Sequence, residues 1–205
     1  MNICNYQYIN ITEITGNIEV DVNNFLLQNN KKKTLEHVID VANTNKEIAL
    51  RYNLDEKICI ISGYLHDIST VVHPNDMLNY MIENNLFVDE SERKYPFILH
   101  QRISKLIAKN LFNIDDKTIL SAIECHSTLK SNPSKYDMAL FIADKLSWDK
   151  EGTPPFYDEV SANLSYFLEK ACLSYINYII DNNMILHPHS WIIASKKYLE
   201  RYNMG

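Results

Sequence analysis

Along most of the chain, apolar residues return every three or four positions, the spacing that gathers them on one face of an α-helix. Leu35, Val38, Ile39, Ala42, Ile48 and Ala49 predict a helix from about Lys33 to Tyr52, closed by Asn53. Asp55 is placed to cap a second, running through Ile58, Ile61 and Leu65 to His66. Pro74 suits the first turn of a short helix that reaches Ile82, and a polar stretch from Val88 to Lys94 follows. The next helix holds Ile98, Leu99, Ile103, Leu106 and Ile107. Asp115 or Asp116 caps another, with Ile119, Leu120, Ile123 and His126 along it. Residues 127–134 read as a loop, Tyr136 to Leu146 as a helix, and Gly152-Thr-Pro-Pro155 as the clearest break. A long amphipathic helix from about Asp158 to Asn182 and a last one from about Ser190 to Tyr202 complete the pattern. Ile9, Ile11, Ile14 and Ile18 do not share this period. They suggest an extended arm or short strand over residues 1–18, or equally a poorly ordered terminus. Six to nine helices without a convincing strand ladder predict an all-α domain over residues 19–205.

Composition narrows the function classes. The 205 residues are 46% apolar and 22% charged, enough for a sizeable core in a single domain. A formal charge of −6 argues against a nucleic-acid partner, which needs a basic face. No apolar run approaches the roughly 18 residues of a membrane span, so no membrane partner is expected. The four cysteines contain no Cys-x-x-Cys pair, and no basic-then-apolar signal segment opens the chain, so a reduced, cytoplasmic setting is expected. Four glycines leave little room for a phosphate-cradling loop. The abundance of Asn, Lys and Ile reads as compositional drift.

The histidines carry the chemical signal. His37 sits mid-helix beside Leu35 and Val38, His66-Asp67 ends an apolar helix, His100 follows Ile98 and Leu99, and His126 closes the stripe from Ile119. Asp144 lies inside Leu140-Phe-Ile-Ala-Asp144, where an uncompensated carboxylate would cost several kcal/mol. A lone histidine on an apolar face is more often a hydrogen-bonded core residue than a ligand. Here, however, several helices each point one metal-competent group at a core, and mixed imidazole and carboxylate donors suit Fe, Mn, Co, Ni or Zn. His187-Pro-His189 is better read as a turn before the last helix than as a second metal site. Trp191 fits base stacking and core packing equally well.

The order His…His-Asp…Asp on helices resembles the HD-domain superfamily of metal-dependent phosphohydrolases. Thr34-Leu-Glu-His37, Leu65-His-Asp67, Pro96-x-x-x-His100, Ala122-Ile-x-x-His126-Ser and Phe141-Ile-Ala-Asp144 resemble its YqeK-type branch, the symmetrical bis(5′-nucleosyl)-tetraphosphatases, over about residues 20–200. The resemblance implies a single HD-domain helical bundle behind a short N-terminal arm. It makes His37, His66, Asp67 and Asp144 the ligands of a divalent transition metal, iron by the family. Asp67, His100 and His126 become the catalytic set, the two histidines facing phosphate or holding a second metal. Thr34, Thr70, Ser127 and Lys150 fall where the family contacts nucleotide, and His187, His189, Ser190 and Trp191 lie in the segment that closes over it. A homodimer is also implied, with no interface marked in the sequence.

The implied activity is hydrolysis of a nucleotide phosphoanhydride, symmetrical cleavage of diadenosine tetraphosphate to two ADP. A bound metal would bring the pKa of a coordinated water toward 7 and so supply hydroxide as nucleophile. One divalent cation with two aspartates leaves the site neutral; two leave it +2, enough to hold a polyphosphate. The chain departs from the family at Thr70, where a lysine is usual, at His126-Ser-Thr-Leu129, which lacks a glycine, and at Lys150, where an arginine is expected. These departures keep two alternatives open: an HD-fold nucleotidase or phosphodiesterase for another small phosphate ester, or a metal- and nucleotide-binding module without turnover.

Overall fold

The structure, a computed structural model, describes residue 3, residues 6–148 and residues 152–203. Eleven α-helices run in order among these residues: α1 (Ile18–Gln28), α2 (Lys32–Tyr52), α3 (Glu56–Leu65), α4 (Pro74–Glu83), α5 (Glu90–Lys94), α6 (His100–Asn110), α7 (Lys117–Cys125), α8 (Lys135–Leu146), α9 (Tyr157–Leu164), α10 (Leu168–Asp181) and α11 (Ser190–Leu199). Short 3₁₀ turns at Ile68–Val71, Pro96–Leu99 and Glu200–Asn203 join or extend them. No strand occurs among the described residues, and no helix there is long and apolar enough to cross a membrane. The fold is the expected all-α bundle.

Local rules account for most boundaries. Asp55 accepts from the Lys57 and Ile58 amides at the start of α3, and Asp116, rather than Asp115, does the same for α7. Residues 88–94 are more ordered than their polarity suggests, because Asp89 and Glu92 close a capping box that starts α5. Helix α1 falls outside the predicted set, although Val22, Phe25 and Leu26 have helical spacing and Asn17 caps it through the Val20 amide. With glycine scarce, asparagine ends five of the helices: Asn30, Asn53, Asn85, Asn113 and Asn183, each just past a helix end, have positive φ. At least this share of the asparagine content has a structural use.

The long helix expected from Asp158 to Asn182 is two helices. Tyr52 donates its hydroxyl to the Leu164 carbonyl at 2.5 Å, and Arg51 reaches the same oxygen at 3.5 Å. That carbonyl is the acceptor a continuous helix would offer to Leu168. Asn163 and Ser165 also turn their side chains onto backbone carbonyls one turn back. Phe167 is extended, and α10 starts anew after it.

Helix α2 packs along α3 and α8, α7 packs on α6 and α8, and α10 joins α8 to α9 and α11. One position makes the α2–α3 seam close. A Cβ on Gly63 would fall 2.5 Å from the Ala42 Cα and 2.9 Å from its nitrogen, so only glycine allows this approach. The seam brings the middle of α2 against the C-terminal end of α3, which carries His66.

Candidate metal centre

Five elements contribute one group or two each. His37 comes from the middle of α2 and His66 from the cap of α3, with Asp67 next in the chain. His100 opens α6, His126 caps α7, and Asp144 lies near the end of α8. The chain end of a helix leaves carbonyls without partners, and the capping histidines use them. His66 donates its Nδ1–H to the Gly63 carbonyl at 2.7 Å, and His126 donates to the Ile123 carbonyl at 2.9 Å. His100 does the same with the Phe97 carbonyl at 2.7 Å. Each of these bonds fixes a tautomer, leaving Nε2 with a free lone pair aimed inward.

Those lone pairs meet. His66 Nε2 lies 3.3 Å from His37 Nε2, and His100 Nε2 lies 3.0 Å from His126 Nε2. Asp144 Oδ1 is 3.2 Å from His37 Nε2 and 3.6 Å from His66 Nε2. Asp67 spans the two pairs, its Oδ2 3.9 Å from His66 and its Oδ1 3.6 Å from His100 and 3.5 Å from His126. The donors fall into overlapping groups whose ligating atoms all lie within 4.8 Å: His37, His66 and Asp67; His66, His126 and Asp144; Asp67, His100 and His126.

The electrostatics suit a cation. His66, His100 and His126 are 0, 6 and 1% exposed, so water does not separate the facing lone pairs. Asp67 Oδ1 is buried without a hydrogen-bond donor. Burial alone would raise the Asp67 carboxyl, but His66, His126 and His100 outweigh it and hold the group ionised. Burial likewise opposes ionisation of Asp144, and Lys145, His37 and His66 together keep it well below the usual carboxylate range. Burial, helped by His66 and His100, drives His126 down to about 4 against the pull of Asp67, so it is neutral at pH 7. Imidazole nitrogens and ionised carboxylates packed donor to donor form a ligand set, and they fit a divalent transition metal.

The remaining sequence-selected residues divide. Ser127 is in the cluster's rim, its hydroxyl 2.9 Å from His100 Nε2. A cavity of about 190 Å³ opens beside it, walled by Phe97, Ile98, Ile185 and Ile192 and reached by His187 and His189. His189 also caps α11 by accepting from the Trp191 amide at 3.1 Å, and it sits 3.4 Å from Glu92 Oε1. Trp191 packs against the core and edge-on to His189, while exposed Ser190 donates its amide to Asp89. Thr34 lies one turn before His37 on α2, and Thr70 lies in the 3₁₀ turn after Asp67 with its hydroxyl buried and unpartnered. Lys150 is outside the described residues.

Two residues escaped the sequence reading. Lys145, beside Asp144, pairs with Asp144 Oδ2, and its ammonium lies 5.5 Å from the Phe141 ring centre and 5.9 Å from that of Tyr175. Burial favours the neutral amine, but Asp144 outweighs it and keeps the charge. Gln101, fully buried next to His100, accepts the Ser127 and Thr128 amides at 3.0 and 3.3 Å and so holds the turn after His126. Leu129 ends that turn with φ of +50°, where the family pattern has glycine. A lysine in an otherwise apolar helix segment was the available signal for Lys145. Gln101 had none.

A family model described as HD domain matches residues 34–149. The chain belongs to the HD domain family. An uncharacterized protein from the pepC 5′ region of Lactococcus lactis subsp. cremoris is 37% identical over 179 residues, 85% of this chain and 88% of that protein. A symmetrical bis(5′-nucleosyl)-tetraphosphatase of Halalkalibacterium halodurans is 20% identical over 81% of this chain and 89% of its own length. A crystal structure of a predicted HD superfamily hydrolase involved in NAD metabolism, from Clostridium acetobutylicum, has the same fold. Its TM-score is 0.80 at 23% identity, covering 94% of this chain and 100% of that one. The matched HD region contains all six donors of the cluster.

Proposed function

We propose that this HD-domain chain is a metal-dependent hydrolase of nucleotide phosphoanhydrides, acting on diadenosine tetraphosphate to give two ADP. The observation that carries the reading is the convergence of four imidazole Nε2 atoms and two carboxylates, from five elements, in overlapping groups whose ligating atoms lie within 4.8 Å of one another. The activity named for the Halalkalibacterium halodurans relative supports the substrate. His37, His66, Asp67 and Asp144 would hold one divalent cation, iron or manganese, and Asp67, His100 and His126 a second. A metal there supplies Lewis acidity and a nucleophile from water at neutral pH.

The chain's own residues do the rest. Asp67 contributes to both ends of the cluster, so it ties the two ligand groups to one spacing. Lys145 brings a positive charge to the Asp144 end, offsetting the lysine absent at position 70. Ser127 offers a hydroxyl at the His100 end, where transferring phosphate oxygens need donors. The apolar cavity beside Ser127 takes one nucleoside and excludes water from that side. A diphosphate leaving group needs little protonation, so no separate general acid is required.

Product analysis tests this. Iron- or manganese-loaded protein and its His66→Ala variant are incubated with diadenosine tetraphosphate, and the nucleotides are separated by ion exchange. ADP as sole product, lost together with bound metal in the variant, is the expected result. Metal at wild-type stoichiometry in His66→Ala, or no ADP from fully loaded wild type, overturns the proposal.

A further inference from the structure

The 3₁₀ turn Pro96–Leu99 acts on the cluster twice. The Phe97 carbonyl accepts the His100 Nδ1–H at 2.7 Å and so aims the imidazole inward. The Phe97 ring then stacks on that imidazole, 20° from parallel with ring centres 4.8 Å apart. His100 covers one face of the ring, yet Phe97 is 61% exposed, so its other face is open. Phe97, His100 and Ser127 all line the apolar cavity, which therefore opens onto the cluster itself.

The polar side chains in that wall are mostly committed elsewhere. His100 uses one nitrogen on the Phe97 carbonyl and the other in the cluster. The Thr128 hydroxyl is bonded to Gln101. His189 is turned away from the cavity: its Nδ1 accepts the Trp191 amide, so Nε2 carries the proton, and that atom is buried facing Glu92 Oε1 at 3.4 Å. Glu92 is fixed in turn by Arg102 and by the Asp89 amide, each at 2.8 Å. The Ser127 hydroxyl lies at the cluster end, against His100. Only His187 is left to meet the edge of a ligand; it is partly exposed and has no hydrogen-bond partner among the described residues.

An apolar slot beside an aromatic face favours a flat ring, and stacking tolerates any base because every base has a π-face. An imidazole with one proton can donate from one nitrogen and accept at the other. It therefore meets the 6-oxo group of guanine as well as the 6-amino group of adenine.

We infer that the cavity holds a purine base against the open face of Phe97, with His187 at its edge, and that it takes adenine and guanine alike. The inference rests on the nucleotide reading above and widens its substrate class to purine dinucleoside polyphosphates. Phe97 supplies affinity for the base, and no side chain in the wall chooses between the two purines.

Binding and turnover are measured separately. Mn²⁺-loaded wild type, Phe97→Leu and Phe97→Tyr are titrated by calorimetry with ADP, with GDP and with inorganic pyrophosphate, which has no base. The Kd values of wild type for ADP and GDP should agree within about five-fold. Phe97→Leu should weaken both about ten-fold, the order expected for one lost stack, while pyrophosphate stays within about two-fold of wild type. Phe97→Tyr, which keeps the ring, should bind both nucleotides as wild type does. A wider gap between ADP and GDP in wild type overturns the inference. So does a loss in Phe97→Leu shared equally by pyrophosphate, which would mean that the ring serves only to orient His100. Cleavage of diadenosine and diguanosine tetraphosphate by the same loaded wild type tests the hydrolase reading by itself. The expected binding pattern without cleavage overturns that reading and leaves the base site standing.

Discussion

Gly63→Ala perturbs the seam that sets the cluster. The added Cβ would meet the Ala42 backbone at 2.5 Å, against 3.4 Å or more for ordinary contact, so α3 must move off α2 by about 1 Å. No side chain can step aside, because the nearest atoms are backbone. Overpacking of this kind costs about 1–3 kcal/mol, and alanine in a helix returns about 1 kcal/mol relative to glycine. The net loss is about 0–2 kcal/mol, a fall in Tm of up to roughly 8 °C for a chain of this size. The functional loss should be larger than the stability loss. Gly63 lies one turn before His66 and accepts its Nδ1–H, so the same displacement carries His66 Nε2 away from His37. Misplacement by 1 Å costs on the order of 100-fold in activity. Thermal unfolding by circular dichroism and Mn²⁺ titration by calorimetry read the two effects. The double variant with Ala42→Gly should not recover, since the Ala42 Cα itself is the obstacle. A Gly63→Ala protein with raised Tm and unchanged Mn²⁺ affinity would refute the reasoning.

Other outcomes follow from single contacts. Lys145→Met should retain metal but raise the KM for diadenosine tetraphosphate about ten-fold, with Lys145→Arg restoring most of it; steady-state kinetics and metal analysis decide. Asp21 is buried yet ionised, because hydrogen bonds from the Thr15 amide and hydroxyl and the Gly16 amide outweigh its burial. Its folded pKa is depressed, so its contribution is complete above the unfolded value of 3.8 and disappears as pH falls through the folded value. Asp21→Asn should therefore be less stable than wild type at pH 7 by urea unfolding, with the gap closing below about pH 4. A gap that holds constant down to pH 2 would contradict this. Leu129→Gly removes a fully buried side chain, about 3 kcal/mol or more, and relieves about 1 kcal/mol of left-handed strain. Net destabilisation near 2 kcal/mol is expected, and a more stable variant would show that strain rather than burial dominates that turn.

Helices α2, α3, α4, α7 and α8 are legible in the sequence because their caps and apolar stripes are local. Their ends differ from expectation by a residue or so. The identity of the six donors is legible for a related reason: a histidine or aspartate on an apolar face stands out wherever the helix period is clear. Failures occur where distant side chains intervene. The α9–α10 break depends on Tyr52, 112 residues from the carbonyl it takes. Lys145 acts through a neighbour whose partners come from α2 and α3, and Gln101 through a turn 26 residues on.

Periodicity and capping are short-range, so the chain alone determined that it is helical, where most helices begin, and which polar groups it buries. Convergence of those groups is a long-range property. Nothing local in the chain requires the Nε2 atoms of His37 and His66 to meet at 3.3 Å, or those of His100 and His126 at 3.0 Å. That follows from the Gly63–Ala42 approach and from backbone carbonyls at helix ends that orient each imidazole. The same holds for the cavity beside Ser127. It is space left between elements, and it takes its shape from how α10 and α11 pack against the turn before α6.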